Sequence, residues 1–503
     1  MDVTRPCPEP FNLAAYVLAQ GAQTPQKIAL SLVGTDETED WTYAALIRAV
    51  AGTARGFLDL GLTPGDRVLL RLDNTPDFPL AYLGALHAGL VPIPTAAALT
   101  LTETQKIIES LQPAAILHDP DIACPAGPVV SLSALRAMRD LPPLAPHMGD
   151  PNRPGYIIYT SGTSGRPMAV LHAHRAIWAR RMMFDGWYGL SQADRLLHAG
   201  AFNWTYTLGT GLMDPWTVGA TALIPRPGTS SAALLPLMRR ERVSIFAAAP
   251  GVYRQMLRGQ DPMDLPHLRH GLSAGEKLPE SLRDRWEAVT SSPVFEAFGM
   301  SECSTFISSS PSHPAKTGTI GRPQPGRQIS LRTPIGAAAA NSEGVIAVHK
   351  SDPGLALGYV DAAQAFAKRF EGPWFLTGDI GAADPAGNIT YLGRRDDMMN
   401  AGGFRVSPLE VEEALRQAPG INGIGVTEVE AKPGTRIIAA FYTSEAALDE
   451  DALMAFAKDR LARYKQPRCY IRLDTLPVSA NGKLQRQALR ATFEAENDQT
   501  HQT

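Results

Sequence analysis

The chain has 503 residues, of which 44% are hydrophobic and 19% are charged, the composition of an ordinary globular protein. This length exceeds what one hydrophobic core normally holds, so we expect two or three domains. Its 47 basic and 50 acidic residues give a net charge of −3, which excludes a dedicated binder of nucleic acid or of an anionic membrane surface.

Cysteine usage and the N-terminal sequence predict a cytoplasmic protein. The four cysteines, Cys7, Cys124, Cys303 and Cys469, are widely separated along the chain. Their spacing matches neither a metal site nor a disulfide framework, which favours a reducing compartment. Residues 1–6 contain no signal-peptide apolar core, and no uncharged apolar run reaches membrane-spanning length.

The first third of the chain alternates between helical and extended patterns. Residues 44–60 have helical periodicity, and residues 66–72 predict a strand. A buried helix over 78–88 and a short strand over 90–94 follow. This alternation predicts an α/β fold, with a mainly parallel sheet flanked by helices.

The middle of the chain predicts a second lobe of the same kind. Residues 141–154 are rich in proline and polar residues and form a connector. Strand-like segments recur at 220–223, 243–248 and 294–298, with helical patterns between them. The turn-rich segment 375–393 predicts short antiparallel strands.

A domain boundary is expected at 393–397, where four charged residues stand in a row between apolar runs. About 107 residues follow it, from 397 to 503, enough for a small domain. Its predicted elements are a helix, two strands and a helix, at 408–417, 423–429, 437–442 and 449–463. Residues after Arg490 are expected to fray.

The loop Thr160-Ser161-Gly162-Thr163-Ser164-Gly165 directly follows an apolar run. Its glycines allow close backbone approach, and successive N–H groups and hydroxyls can surround phosphate oxygens. It lacks the Gly-Lys-Ser/Thr ending of the common P-loop. Taken alone, such a cluster is more often an ordinary turn than a phosphate site.

Four further segments carry nucleotide or carboxylate chemistry in a fixed order. They are Phe298-Gly299-Met300-Ser301-Glu302, Thr377-Gly378-Asp379, Gly393-Arg394-Arg395-Asp396-Asp397, and Asn481-Gly482-Lys483. An aromatic ring can stack on adenine, a carboxylate can bind Mg²⁺ or ribose hydroxyls, and a lysine can neutralise a reacting phosphate. Each segment alone has an ordinary structural explanation, as a strand end, a turn or a solvated surface.

In this order and spacing the five motifs resemble the adenylate-forming superfamily of acyl-CoA synthetases, peptide-synthetase adenylation domains and luciferases, over nearly the whole chain. Stretches such as Phe11-Asn12-Leu13, Thr207-Leu208-Gly209 and Phe306-Ile307-Ser308 are most similar to the benzoate-CoA ligase group. The resemblance implies a large N-terminal domain, 1–395, with two sheet-and-helix lobes and a β-barrel-like subdomain. A small mobile α+β domain, 396–503, would carry Lys483.

The resemblance also implies a two-step reaction. A carboxylate attacks the α-phosphate of ATP with Mg²⁺, and the thiol of CoA then displaces AMP to give a thioester. The expected acid is benzoate, a related aryl or cyclic acid, or a short or medium aliphatic acid. Two alternatives stay open: an adenylation enzyme that loads a carrier protein, and a catalytically impaired nucleotide- or acyl-CoA-binding homologue. Homodimers are common among similar proteins.

Residue roles implied by the resemblance follow the motif positions. ATP or AMP would contact Thr160, Ser161, Gly162, Thr163, Ser164, Gly165, Gly275, Glu276, Lys277, Phe298, Gly299, Asp379 and Arg394. Catalytic roles fall to Lys483, Ser301 and Glu302, with Glu302 also holding the metal. The acid pocket would comprise Trp204, Thr205, Tyr206, Ala274 and Thr305. CoA would contact Gly402, Gly403, Phe404 and Arg405. Asp396 would be the hinge between the two domains.

Two family lysines are missing. Met168 stands where the phosphate loop usually carries lysine, and Asn400 where benzoate-type enzymes carry another. Losing the charge-assisted contact at position 168 costs on the order of 1.5–3 kcal/mol, so we expect weakened ATP affinity or slower adenylation, with compensation by Arg166 as the alternative. Asparagine at position 400 leaves open a substrate that is not an aryl acid. For Trp204 and Tyr206, ordinary core packing is the competing explanation. His172 and His174 are expected to have structural roles, because no carboxylate or cysteine accompanies them.

Overall fold

The computed structural model describes residues 5–160, 168–395, 397–401, 404–432, 435–478 and 483–500. The chain divides into two compact units, one of Met1–Ile329 and Val348–Phe375, the other of Ser330–Ala347 and Leu376–Thr503. Within the described residues, every helix is too short or too polar to cross a membrane.

In the first unit, a parallel sheet confirms the alternation predicted for the first third. Its four strands, in spatial order, are Val91–Pro94, Arg67–Arg71, Ala115–His118 and Val129–Ser131. Beside it run the helices Tyr43–Asp59 and Asp77–His87, which match the predicted positions to within a residue. Thr42 caps the first of these helices, since its side chain accepts a hydrogen bond from the Ala45 N–H.

A nine-stranded sheet forms the second lobe of this unit. Its strands, in spatial order, are Arg322–Pro323, Ser304–Ser308, Val294–Met300, His270–Ala274, Ile245–Ala248, Arg195–His198, Thr221–Pro225, Ile28–Val33 and Thr38–Thr42. The inner strands are parallel, and the three outermost strands pair antiparallel with their neighbours. The N-terminal strand Ile28–Val33 joins this sheet, with Leu30 opposite Ala222, so the two lobes share the start of the chain.

Four further strands complete the pairing in the first unit. Pro154–Thr160 and Met168–Ala173 form an antiparallel pair, which Gly358–Tyr359 extends. Phe370–Glu371 pairs antiparallel with the beginning of the strand Trp374–Ala383.

The remaining helices of the first unit are mostly short. The α-helices are Leu13–Ala19, Leu101–Leu111, Leu132–Ala137, Ala176–Ala179, Asp214–Thr217, Leu234–Arg240, Pro250–Met256, Glu280–Thr290 and Ala363–Ala367. The 3₁₀ turns are Gly21–Gln23, Met138–Asp140 and Ser231–Ala233. Phe184–Tyr188 and Thr207–Met213 are π-helical, a conformation frequent at functional sites.

The second unit is built mainly from antiparallel pairs and a small α+β core. Its strands are Ile329–Thr333, Gly336–Ala337, Glu343–His349, Trp374–Ala383, Ile389–Arg394, Met399–Ala401, Phe404–Val406, Gly423–Lys432, Thr435–Thr443 and Cys469–Arg472. Its helices are Pro408–Leu415, Glu450–Arg460, the 3₁₀ turn Arg463–Lys465, and Arg486–Thr500. The predicted antiparallel strands within 375–393 are confirmed, as are the strands and helices of the tail.

The expected fraying after Arg490 is wrong, because a helix runs over Arg486–Thr500. Leu489 and Phe493 lie one helical turn apart and are both buried. They pack with Val429, Ala439 and Phe441 of the adjoining strands, and this apolar face holds the helix to the sheet. The predicted boundary between 395 and 396 stays a prediction, and Asp396 lies outside the described residues.

Candidate active site

The predicted phosphate loop begins at the end of an antiparallel strand pair. Thr160 ends one strand and pairs with Met168, which begins the returning strand. Ser161, Gly162, Thr163, Ser164 and Gly165 lie outside the described residues. The Met168 side chain is partly buried and packs against the large apolar core of the first unit. At this position, therefore, methionine contributes packing where the family usually has a charge.

The turn from Met300 to Ser304 is fixed by contacts from both sides. Gly299 pairs with this turn so closely that a Cβ there would lie 2.2 Å from the Ser304 carbonyl oxygen, and only glycine fits. The Ser301 carbonyl accepts a hydrogen bond from His172 Nε2 at 2.7 Å. The Glu302 carbonyl accepts one from the Ala356 N–H at 2.7 Å. The backbone that presents Ser301 and Glu302 is therefore well anchored.

The Glu302 carboxylate accepts a hydrogen bond from the Tyr359 hydroxyl at 2.5 Å. Burial, and then the neighbouring Glu302 charge, raise the pKa of Tyr359, so its hydroxyl stays protonated and keeps donating. The contact occupies one oxygen of the Glu302 carboxylate and orients the carboxylate.

Phe298, predicted to stack on adenine, is half-buried and meets the Phe306 ring edge-on at a centroid distance of 5.4 Å.

The segment Gly275-Glu276-Lys277 leaves the end of the strand His270–Ala274. Gly275 has φ +98°, and a Cβ there would lie 2.7 Å from the Trp204 ring, so glycine is required for both reasons. The next residue, Leu278, donates its N–H to Glu296 Oε1 at 2.9 Å. Burial raises the pKa of Glu296 to about 7, against the opposing effects of Leu278 and Arg283.

The predicted acid-pocket residues divide between the pocket and the core. Trp204 is half-buried against Gly275 and the Tyr206 ring, and Ala274 is buried beside them. Tyr206 is buried and donates its hydroxyl to the Leu272 carbonyl at 3.0 Å, a core packing role. Thr305 donates its hydroxyl to Met183 Sδ at 3.1 Å.

A small cavity of about 20 Å³ brings together residues of both predicted subsites. Thr205 from the predicted acid pocket and Ser301 from the predicted phosphate site both line it. Ser304 also lines it, together with Tyr82, His172 and Arg180, three residues that were not predicted for the acid pocket. His172 is fully buried, stacks on the Tyr156 ring at 4.8 Å and has a pKa lowered to about 4 by burial, so the ring is neutral.

A buried ion pair, which was not predicted from the sequence, lies at the wall of this cavity. Arg180 Nε and Nη2 donate to the Asp214 carboxylate at 2.8 Å and 2.6 Å, and the Tyr188 hydroxyl donates to the same carboxylate at 2.8 Å. Arg180 Nη1 donates to Ser304 Oγ at 2.5 Å. Although burial lowers it, the Asp214 charge raises the pKa of Arg180, which therefore stays cationic. The sequence signal was a charged residue inside each of two apolar runs.

In the second unit, Asp379 and Arg394 lie opposite each other on paired strands. The Asp379 carboxylate accepts from the Tyr391 hydroxyl at 2.9 Å and from Arg394 Nη1 at 3.2 Å. Burial raises the pKa of Asp379, while Arg394, Tyr391 and the positive charge of Lys483 lower it. Three residues predicted from separate motifs, Asp379, Arg394 and Lys483, therefore interact within this unit.

The Lys483 segment is tied to the core of the second unit by Arg486. Lys483 itself is exposed. Arg486 Nη2 donates to the buried Glu412 at 2.6 Å, and Arg486 Nη1 lies 3.7 Å from Asp397, the neighbour of the predicted hinge residue Asp396. Arg486 thus links the start of the small domain to the segment that presents Lys483.

The predicted CoA-contacting region is a second hairpin. Met399–Ala401 pairs with Phe404–Val406, and Asn400 lies opposite Arg405. Gly402 and Gly403 lie outside the described residues, so the structure gives the strand pairing of Phe404 and Arg405 and the position of Asn400.

His174, for which a structural role was predicted, accepts a hydrogen bond from the Leu13 N–H at 3.1 Å. The described residues contain no cluster of three or more His, Cys, Asp or Glu side chains that could hold a metal ion.

Comparison with known proteins places this geometry in a family. The AMP-binding enzyme model matches residues 17–360, and the model of the AMP-binding enzyme C-terminal domain matches residues 410–483. The benzoate–CoA ligase of Thauera aromatica is 32% identical, with 91% of this chain and 92% of that protein covered. The 3-hydroxybenzoate–CoA ligase of Aromatoleum sp. (strain CIB) is 28% identical, with 90% and 92% covered.

A comparison with solved structures supports the same family. The crystal structure of a benzoate CoA ligase from Burkholderia xenovorans LB400 superposes with a TM-score of 0.84 at 27% identity, with 95% of this chain and 100% of that chain covered. The predicted α/β architecture and the predicted superfamily are confirmed. The chain belongs to the AMP-binding enzyme family.

Proposed function

We propose that this protein is an AMP-forming acid–CoA ligase, which activates a carboxylic acid with ATP and transfers the acyl group to CoA. The observation that carries the proposal is the arrangement around Asp379. A buried carboxylate is surrounded by Arg394, Tyr391 and the charge of Lys483, on a chain whose relatives are named CoA ligases. The acid is benzoate, a related aryl or cyclic acid, or a short or medium aliphatic acid.

Asp379 is suited to hold a ribose. Tyr391 and Arg394 each donate to a different oxygen of its carboxylate, which leaves acceptor positions for two ribose hydroxyls. Arg394 also donates to the Thr377 carbonyl at 3.0 Å, which fixes the guanidinium. The proposed role is to orient the nucleotide so that its α-phosphate meets the acid carboxylate, since phosphoryl transfer depends chiefly on positioning and charge neutralisation.

Lys483 carries the charge that the first step requires. A lysine ammonium near a developing negative charge stabilises the transition state electrostatically. Because Lys483 follows a glycine and is exposed, its long side chain can reach a bound carboxylate and α-phosphate. The second step, attack by the CoA thiol, is assigned to the region of the Met399–Ala401 and Phe404–Val406 hairpin. Rotation of the small domain about Asp396 between the two steps stays a prediction.

Glu302 and its neighbour Ser301 fit a magnesium ion whose other ligands come largely from the substrate. Magnesium is usually bound through one or two carboxylates together with phosphate oxygens and water. Glu302 supplies one carboxylate, oriented by Tyr359, with Ser301 as a neighbouring hydroxyl. The ion would neutralise phosphate charge, while Ser301 and the N–H groups of the 160–165 loop bind phosphate oxygens.

The test is mass spectrometry of a reaction containing ATP, Mg²⁺, CoA and a panel of acids: benzoate, hydroxybenzoates, cyclohexanecarboxylate and linear fatty acids. We expect acyl-CoA with stoichiometric AMP from at least one acid. AMP or acyl-AMP without thioester would contradict CoA as the acceptor and favour a carrier protein. ATP binding without product from any acid would contradict the ligase assignment.

We also infer that the protein is a homodimer in the cytoplasm. A homodimer is expected from the resemblance, and size-exclusion chromatography with light scattering tests it. A cytoplasmic location is expected from the cysteine usage, and fractionation of the native host tests it.

A further inference from the structure

We propose that Arg180, Ser304, Tyr82 and His172 form a polar subsite in the acid pocket, which selects an acid with a neutral oxygen substituent, such as a hydroxyl, over the unsubstituted acid. The inference rests on the proposed ligase function and specifies its substrate class. It is carried by the composition, size and charge of one small cavity.

Two cavity-lining side chains carry a buried polar atom without a hydrogen-bond partner among the described residues. They are the Tyr82 hydroxyl and His172 Nδ1. Tyr82 is 1% exposed and His172 is 2% exposed. Leaving a buried polar group unpaired costs about 1–3 kcal/mol, so a ligand that pairs with both groups is favoured.

The hydrogen-bonding roles around the cavity are complementary. The Ser301 carbonyl can only accept, so His172 Nε2 is the donor and Nδ1 of the neutral ring is an acceptor. Arg180 Nη1 donates one proton to Ser304 Oγ and carries a second proton. The lining therefore offers donors from Arg180 and Tyr82 and an acceptor from His172. A hydroxyl, which both donates and accepts, satisfies this set.

Charge and volume exclude a second carboxylate as the preferred group. Asp214 already neutralises Arg180 through two short hydrogen bonds, with both side chains almost fully buried. A further anion would be buried without its own counter-charge, which is strongly unfavourable. The cavity of about 20 Å³ holds about one water-sized group, enough for a hydroxyl but too small for a carboxylate.

The position of the cavity links it to the acid and not to a remote part of the fold. Its lining joins Thr205, predicted to contact the acid, with Ser301, predicted to contact phosphate. Leu208 and Met213, both within the π-helical segment Thr207–Met213, form part of its apolar wall. An acid placed between Thr205 and Ser301 can direct a substituent into this space while its own carboxylate faces the nucleotide.

The experiment compares kcat/KM for matched acids, measured as acyl-CoA formation: benzoate against the three hydroxybenzoates, cyclohexanecarboxylate against its hydroxy derivatives, and phthalate isomers as dicarboxylic controls. Wild type is expected to prefer one hydroxylated acid over its parent by about tenfold or more. Tyr82→Phe and Ser304→Ala are each expected to reduce that preference about tenfold. Tyr253→Phe is the matched control. It removes a fully buried phenol hydroxyl that donates to the Leu272 carbonyl, away from the cavity, and should leave the preference unchanged.

Each outcome decides between the proposals. Three results would overturn the subsite: equal or higher kcat/KM for the unsubstituted acids, a preference for a dicarboxylic acid, or an unchanged preference in both Tyr82→Phe and Ser304→Ala. A structural water would then be the occupant of the cavity. Acyl-CoA from none of the acids overturns the ligase function itself. Thermal unfolding of each variant separates a changed preference from a damaged fold.

Discussion

Replacing Asp379 with asparagine tests the nucleotide site at a single group. Asp379 is 5% exposed, and the Tyr391 hydroxyl and Arg394 Nη1 occupy two of its roughly four acceptor positions. The other two are assigned to ribose hydroxyls. Asparagine keeps one acceptor oxygen, but its amide nitrogen cannot accept, so one charge-assisted hydrogen bond is lost.

A hydrogen bond to a charged group contributes about 1.5–3 kcal/mol. Asp379→Asn should therefore lower kcat/KM for ATP about ten- to 150-fold. The assay is ATP–pyrophosphate exchange at saturating acid, which reports adenylation alone. Tyr391→Phe is the control: it removes one hydrogen bond to Asp379 but retains the negative charge, and the loss should stay below about fivefold.

The result that would refute the reasoning is a folded Asp379→Asn variant whose kcat/KM for ATP stays within about twofold of wild type. Thermal unfolding must show that the variant is folded. Arg394 keeps its hydrogen bond to the Thr377 carbonyl in the variant, which limits the structural cost of removing its charged partner.

Three further predictions concern stability and rate. Burial raises the pKa of Glu296 from its ordinary value of 4.5 to about 7, so the stability that this group contributes falls as pH rises from 4.5 to 7. Glu296→Gln should therefore flatten the pH dependence of the urea unfolding midpoint over this range. An unchanged pH profile in the variant would contradict this reasoning. Met168→Lys should raise adenylation kcat/KM for ATP about tenfold or more by adding a phosphate contact; an unaltered or lower rate would mean that the loop does not limit catalysis. Arg180→Met should destabilise the fold by about 3–5 kcal/mol in denaturant titrations, and adding Asp214→Leu should restore most of that; equal losses in both variants would argue against an uncompensated buried charge.

The elements that local pattern determines could be predicted from the sequence. Helical periodicity over 44–60 predicted the helix Tyr43–Asp59 closely, and the turn-rich segment 375–393 formed the expected antiparallel pair. The site motifs could be recognised because each depends on residue types at short spacing. Asp379 and Arg394, for example, interact through direct pairing of adjacent strands.

What could not be predicted depends on contacts between distant parts of the chain. Ile28–Val33 joins the nine-stranded sheet beside Thr221–Pro225, a pairing that no local pattern specifies. Arg180 and Asp214 are separated by 34 positions, and Asp214 directly follows a π-helical segment that no local pattern predicted. The C-terminal helix was missed because its stability comes from Leu489 and Phe493 packing on strands, and its own sequence is polar.

The most direct test of the central claim follows an oxygen atom. The proposed chemistry requires the acid carboxylate to attack the α-phosphate of ATP, so one carboxylate oxygen must leave with AMP. An acid that forms acyl-CoA would be labelled with oxygen-18 in its carboxylate, and the products would be separated and weighed by mass spectrometry. The account predicts one labelled oxygen in AMP and none in pyrophosphate. Label in pyrophosphate, formation of ADP, or unlabelled AMP beside the thioester would contradict it.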